Sequence, residues 1–286
     1  MAAHQSACRE LEDCAIVLSA IYGPDGHDRT VKDFAFNWDA ELDWRKLRVG
    51  FLPKTLSDSP EETSSPTAQT EKELTPEQKK KREQDDAVRA SFRAARAYDL
   101  KFSKAALDKL SSLGVTVIPV ELPELPFEAM LTMLFAEAAA AFETLTLSGR
   151  DKLLVGQGKD NWPNTFRAAR FIPAVEYIQA SRARMLATPA NGRNFARVDV
   201  IVGPPYSALV ASNLTGHPTL VMPNGFRGPD GPVFAWPKGD LAGGPGTPVA
   251  LSFVGSLFGE AKLLALGRAY QQATDFHRLH PKMSAA

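Results

Sequence analysis

Five short apolar segments, each stopped by a glycine or proline, set the strongest limit on what this chain can fold into. They are KLRVGFL ahead of Pro53, VTVIPVELP from Val115 to Pro123, VDVIVGPP from Val198 to Pro205, TLVMP from Thr219 to Pro223, and PVALSFVG from Pro248 to Gly255. Most are continuous runs rather than polar–apolar alternations. A strand with no polar face is buried on both sides, and burying both sides of a sheet takes helices. The pattern predicts an α/β protein with a buried β-sheet.

The helices are legible from their 3.6-residue period. Leu11, Cys14, Ala15, Leu18 and Ile21 predict a helix from Ser6 to Ile21, capped by Ser6 and stopped by Gly23-Pro24. A second is predicted from Val88 to Leu113, closed by Gly114. A long helix follows from Phe127 to Leu147, with Met130, Leu131, Leu134, Phe135, Ala138, Phe142 and Leu145 on one broad face. Two more run from Pro173 to Leu186, where Ala174, Ile178 and Met185 keep helical spacing, and from Glu260 to Phe276. The stretch NGFRGPDGPVFAWPKGDLAGGPGTP reads as a hairpin or loop, and NLTGHP as a turn. Residues 55–86 differ in kind. Leu56 and Leu74 are their only large apolar side chains, with Pro60, Pro66 and Pro76 between. Such a segment buries too little apolar area to offset its ordering entropy, so a mobile surface insertion is expected. No fixed-period repeat occurs.

The balance of 33 basic and 33 acidic side chains, with a formal net charge of zero, gives no electrostatic footprint for nucleic acid. Lys79-Lys80-Lys81-Arg82 is flanked by Glu77, Glu83, Asp85 and Asp86, which reads as a solvated helix start. The two cysteines, Cys8 and Cys14, suggest a reducing compartment. On one helix they lie on different faces, so no local disulfide is expected. MAAHQSACRELED carries no apolar core of a secretory signal, and no window is apolar enough to span a membrane. The expectation is a cytoplasmic protein with no membrane partner.

Metal and phosphate motifs are absent: no HExxH, no paired CxxC, no EF-hand and no GxxxxGK[ST]. Gly156-Gln157-Gly158 and Gly243-Gly244-Pro245-Gly246 read as turns. Gly255-Ser256-Leu257-Phe258-Gly259 lies between a strand and a helix, as a nucleophile elbow must, but its serine is one place early for the strained tip. Ser207 or Ser212 paired with His217 is the remaining hydroxyl–imidazole arrangement. Residue chemistry alone therefore gives a scaffold and no catalytic set.

Several stretches, in order, resemble one family. CRELEDCAIVLSAIYGPDGHDRTVKDFAFNWD is similar to the amidase-signature segment in which R-S-V-E-D-C-A leads to G-P-D-x-x-D-P-T. LRVGFLPK, LDKLSSLGVTVIPVELPELP, RFIPAVEYIQASRARML and DVIVGPP resemble the strands and helices that follow in that family. NLTGHPTLVMPNGF, from Asn213 to Phe226, is the strongest match, to N-L-x-G-x-P-x-x-x-x-P-x-G-F. PVALSFVGSLFGEAKLLALGRAYQQAT resembles the closing segment.

The resemblance implies the C-terminal portion of an amidase, or of an enzyme like the A-type subunit of glutamyl-tRNA amidotransferase, as one partial amidase domain over residues 1–286 with a mixed, mostly buried β-sheet covered by helices. It implies hydrolysis of a carboxylic amide to a carboxylate plus ammonia or amine. The family uses a Ser–cis-Ser–Lys triad and a Gly/Ser-rich oxyanion loop. Both lie upstream of the matched segments, so no catalytic, cofactor or metal residue carries over. Ser64-Ser65 and Ser111-Ser112 offer no displaced copy, and Asn213, Gly216 and Pro218 are assigned to shaping the scaffold. Three expectations follow, in order: a truncated amidase inactive alone; a non-catalytic subunit or binding protein completing a separately encoded N-terminal partner chain; and a self-contained hydrolase using Ser207 or Ser212 with His217. A small-molecule amide is the expected substrate once the full-length enzyme is assembled, with no cofactor, no nucleic acid, and a homo-oligomer or partner chain as the assembly.

Overall fold

A computed structural model describes residues 8–27, 29, 31–56, 75–159, 161–235 and 241–279. In chain order the elements are α1 (Leu11–Ile21), β1 (Arg48–Phe51), α2 (Pro76–Ser112), β2 (Thr116–Pro119), α3 (Phe127–Met130), α4 (Thr132–Ala141) and α5 (Glu143–Leu147). There follow α6 (Trp162–Ala169), α7 (Ala174–Gly192), β3 (Val200–Gly203), α8 (Leu209–Thr215), β4 (Thr219–Phe226), β5 (Val233–Ala235), β6 (Leu241–Gly243), β7 (Pro248–Gly255) and α9 (Glu260–Thr274). They fall into two compact units. One comprises Met1–Glu121, Val198–Ser207 and Pro218–Ala286; the other comprises Leu122–Arg197 and Ala208–His217.

The first unit holds a five-stranded sheet in the order β2-β1-β3-β7-β4. β1 runs parallel to both β2 and β3, while β7 runs antiparallel to β3 and β4. The sheet is mixed and its centre is dry: every residue of β3 is buried, and Val249, Leu251, Phe253 and Val254 of β7 are buried too. Leu110, Leu251, Leu266 and Phe253 have no measurable exposure and share one core with Leu11, Val49, Val200 and Tyr270. Each fully buried side chain of this size contributes about 1.5–3 kcal/mol. Gly50 explains the interrupted V-G-F run of β1. A Cβ there would lie 3.0 Å from Val120, 3.1 Å from Val198 and 3.3 Å from Ile201. Gly267 does the same on α9, where a Cβ would collide with Leu220 and press on Leu11.

Asp199 ties these elements at their edge. Its carboxylate accepts from the Arg48 N–H at 3.0 Å and from Lys262 Nζ at 2.9 Å. Burial works against the charge of Asp199, but the Arg48 backbone bond and the Lys262 ammonium hold its pKa below the ordinary value.

The second unit is helical, with Met130, Met133, Ala180, Ala187 and Leu214 as its core. Tyr177 donates to Glu137 at 3.1 Å, and Arg167 pairs with the buried Asp151.

Several expectations change at this level. α1 starts at Leu11 with Glu10 before it and no side-chain cap; Ser6 lies outside the described residues. Residues 57–74 of the expected insertion also lie outside them, but Thr55 is buried in a 3-10 turn over Pro53–Leu56. Residues 76–86 extend α2, because Pro76 suits a first helical position and the Glu, Gln and Lys run prolongs a helix already nucleated. The expected helix from Phe127 to Leu147 bends at Leu131 and Phe142, while N–H bonds such as Phe135 to Leu131 and Thr146 to Phe142 carry through. α7 runs on through Pro189, and α6 and α8 are additional to the expected helices. The Gly/Pro-rich stretch does form a hairpin of β5 and β6; its turn, 236–240, lies outside the described residues.

On α7 the large apolar side chains do not take the buried side. Ile178 and Met185, which keep the helical spacing, are 55% and 74% exposed. The helix is apolar on two sides, and the small Ala180 and Ala187 take the buried one. The bulky stripe of Val175, Ile178, Met185 and Leu186 is left outward. Chemical denaturation checks this. Leu110→Ala is expected to lower stability by about 2–5 kcal/mol, and Ile178→Ala by no more than about 0.5 kcal/mol.

Candidate functional site

The stretch from Asn213 to Phe226 carries the densest motif of the sequence, and the fold places its two halves in different units. In the helical unit, α8 ends in Gly216, whose φ of 80° closes the helix as only a glycine does without strain. Asn213 turns back to donate to the Leu209 carbonyl at 2.8 Å. His217 follows, 5% exposed and stacked on Phe195 with ring centroids 5.0 Å apart. Its Nδ1 lies 2.7 Å from Thr215 Oγ1, and Asn191 Nδ2 reaches the same hydroxyl at 3.3 Å.

The direction of these bonds decides what the cluster can do. Thr215 has one hydroxyl proton and gives it to the Ala211 carbonyl at 2.6 Å. Asn191 Nδ2, an amide donor, also lies 3.4 Å from His217 Nδ1, so whether that nitrogen donates to Thr215 Oγ1 or accepts depends on the ring tautomer. A general base needs its ring nitrogen to accept a hydroxyl proton, and the Thr215 proton is directed to Ala211 O. Burial lowers the His217 pKa to about 4, so the ring is neutral at physiological pH. Ser212, buried beside it, donates to Leu209 O at 3.1 Å. Sequence reasoning pairs His217 with a serine; the fold brings it to a threonine instead.

In the sheet unit, hydroxyls gather where β1 and β3 end, the side of parallel strands on which α/β proteins commonly bind ligands. Thr55 Oγ1 donates to Leu52 O at 2.7 Å, Ser207 Oγ to Pro204 O at 2.7 Å, and Ser252 Oγ to Gly203 O at 3.0 Å. A Cβ on Gly203 would stand 2.9 Å from Ser207 Oγ, so the glycine makes room for that hydroxyl. Each hydroxyl satisfies a carbonyl at a strand end; none of the three sits against an imidazole, ammonium or carboxylate.

The strand-to-helix turn at Gly255-Ser256-Leu257-Phe258-Gly259 does contain a strained residue, but it is Phe258, at φ 59°. Phe258 stacks on Phe34 at 4.1 Å, and Gly259 N–H closes the turn onto Ser256 O. Glu260, at the start of α9, is pushed up in pKa by burial, an effect the adjacent backbone N–H opposes. The two glycine-rich stretches are occupied by their own turns. Asn161 Oδ1 accepts from Gly158 N–H just ahead of α6, and Gly246 N–H bonds to Arg227 O.

The rest of the motif, with Arg227 just after it, is a brace. Arg227, 8% exposed, grips Asp99 of α2 through Nε at 2.9 Å and Nη2 at 2.6 Å. Asn224 donates to Phe102 O at 3.0 Å and accepts from Tyr270, whose pKa burial pushes up to about 12. Gly225, at φ 131°, lies where a Cβ would meet the Phe102 ring at 2.7 Å. An open recess of about 340 Å³ lies beside residues 40–45. Its Arg268 is paired with Glu12 at 2.5 Å, and its Arg45 lies over Trp44. Among the described residues no group of three or more His, Cys, Asp or Glu side chains is gathered to hold a metal.

The architecture, a mixed sheet with helices, is that of the amidase-signature enzymes. The chain is related to those enzymes and matches the C-terminal portion of them. It is 27% identical over 319 aligned residues to the A-type subunit of the glutamyl-tRNA(Gln) amidotransferase of Ralstonia nicotianae, covering 96% of this chain and 57% of the relative. The corresponding Roseiflexus castenholzii protein is 26% identical, with 96% and 54% covered. Among solved structures, the native peptide amidase of Stenotrophomonas maltophilia superposes with a TM-score of 0.59 at 23% identity, over 93% of this chain and 52% of that one. A bacterial aryl acylamidase of the amidase-signature family gives 0.62 at 14% identity, over 96% and 54%. No protein-family model matches the chain. The chain thus spans about half the length of the curated relatives it matches.

Two outcomes are expected from this geometry. Because the folded pKa of His217 lies below the unfolded value of 6.5, the unfolded chain binds the proton first. Stability is then full above pH 6.5 and declines as pH falls toward 4. Denaturation midpoints measured across that window should lose this slope in His217→Gln. Removing Asp99 strands a buried guanidinium, so Asp99→Ala is expected to cost about 2–4 kcal/mol in the same assay.

Proposed function

We propose that this chain is the C-terminal portion of an amidase-signature amide hydrolase, acting in the conversion of a small carboxylic amide to a carboxylate plus ammonia or amine. On this reading the chain does not catalyse the reaction by itself. The observation that carries it is the state of the hydroxyls. Ser207, Ser212, Thr215 and Ser252 all donate to main-chain carbonyls, and Thr215, the one that meets an imidazole, already directs its proton to Ala211 O. An amide needs an activated nucleophile together with oxyanion donors. A match to only about half of each relative's length supports placing both outside these residues.

The names of the relatives (a component of an amidotransferase, a peptide amidase, an aryl acylamidase) share amide chemistry and differ in substrate. The reading carries over the bond type and leaves the substrate to groups beyond this chain. A zero net charge gives no basic footprint for direct contact with tRNA, so a small-molecule amide is preferred. No described helix is long and apolar enough to cross a membrane. A cytoplasmic setting belongs to the same proposal.

A second reading, a non-catalytic subunit that completes a separately encoded N-terminal partner, is favoured by the helical unit. Its outward Phe171, Val175, Met185 and Leu186 are 86%, 56%, 74% and 70% exposed, the kind of apolar surface that marks a contact.

Activity-based labelling separates these from a self-contained enzyme. The purified chain is expected to take up no fluorophosphonate and to leave a simple anilide intact. Stoichiometric labelling that disappears in Thr215→Val or Ser212→Ala would reject the reading. Co-expression with a Gly/Ser-rich N-terminal amidase segment should restore labelling, on that segment, if the second reading holds.

A further inference from the structure

The turn between β7 and α9 holds a residue in a backbone conformation that its side chain resists. Phe258 has φ 59°, in the left-handed region where a bulky side chain crowds its own backbone. A glycine would sit there without strain. The turn is fixed around it: Gly259 N–H donates to Ser256 O at 2.9 Å, and a Cβ on Gly259 would collide with the Ser256 hydroxyl. Strain of this kind gathers where a side chain must be displayed to something it binds.

The strain does not serve the core. Phe258 stacks on Phe34 with ring centroids 4.1 Å apart and an interplanar angle of 17°, and both residues are 49% exposed. Two half-exposed aromatic rings thus stand on the surface of the sheet unit, to which both belong. Leu257, beside Phe258, is exposed as well. The apolar surface continues toward α1 through the Tyr22 ring, which meets Phe36 at 5.9 Å. Ile21, next to Tyr22, is exposed, and so is Val17, one helical turn earlier on the same side. Leu11 and Ala15 take the buried side of that helix.

We propose that this surface, built from Val17, Ile21, Phe34, Leu257 and Phe258, docks a polypeptide corresponding to the N-terminal half of the amidase-signature fold. The proposal rests on the second reading above, a subunit completed by a partner, and adds the place on the sheet unit where that partner sits. Comparison with the relatives argues for this occupant. This chain covers 57% and 54% of two of them and matches their C-terminal portion, so their remainder lies ahead of the counterpart of α1. In a single polypeptide that remainder leads into α1, whose outward side begins the apolar surface. A separately encoded N-terminal half reaches the same place without the covalent link, and contact area has to replace it. Aliphatic side chains around a rigid aromatic pair supply such contact. A second copy of this chain has no comparable reason to arrive at α1.

The experiment co-expresses the tagged full chain with the part of the Ralstonia nicotianae A-type subunit that precedes its matched region, and measures the complex recovered. The unsubstituted chain is expected to carry that segment in equimolar amount. Phe34→Ser and Phe258→Gly should each reduce recovery at least about tenfold. Leu279→Ser, an exposed position elsewhere on the sheet unit, should leave it within about twofold. Phe258→Gly also separates loss of contact from loss of fold, because glycine relieves the left-handed strain. The thermal midpoint of that variant, measured on the chain alone, should not be lower than that of the unsubstituted chain. Unchanged recovery in both aromatic variants would overturn the surface and leave the second reading standing. No complex with the unsubstituted chain would remove both. A dimer of the chain alone, abolished by the same substitutions, would make a second copy the occupant and overturn the proposal. A clearly lowered Phe258→Gly midpoint would overturn it too, by making the stacked pair part of the fold's own stability.

Discussion

The sheet unit depends on β7. It pairs with β3 on one side and β4 on the other, and its Leu251 and Phe253 are completely shielded. Because β7 runs against both neighbours while β1 runs with β2 and β3, it is where a parallel α/β layer becomes an antiparallel one. Ser252 lies at that junction and bonds to the Gly203 carbonyl, so even the polar groups there fix strand ends. Tyr270 of α9 packs its ring on Phe253 and sends its hydroxyl to Asn224 of β4. One helix thus couples the packing of the central strand to the polar brace on α2.

The same coupling runs through the most family-like motif of the chain. Gly216 closes α8, Gly225 admits the Phe102 ring, and Asn224 and Arg227 hold α2. Each position needs its residue type for a geometric or hydrogen-bonding reason inside the scaffold. The helical unit is organised differently, by small residues. Alanines on the buried side of α7 let neighbours approach closely, and the large side chains are left facing outward.

Where strong local signals agree with packing, sequence reading places the elements well. PVALSFVG forms β7 over its full length, and Gly114 adopts the positive φ expected of a helix stop. It fails where the deciding partner is distant. Nothing near Cys8 announces that Gln271 will hold the preceding segment off the helix. The period of α7 cannot say which of two apolar stripes will be covered. Thr215 is close in sequence yet escapes a period-based reading, because its contact with His217 depends on the αL turn at Gly216, the one residue between them.

By itself, then, the sequence determined the α/β class, the strand segments and the order of family motifs, since each depends on local periodicity, turn chemistry and continuous burial. It also determined that no familiar metal, phosphate or serine-elbow pattern is present. Only the tertiary structure decided strand order and the outward stripe of α7. Those are set by which surfaces compete for burial. The competing surfaces come from residues far apart in the chain, so no local window contains the information.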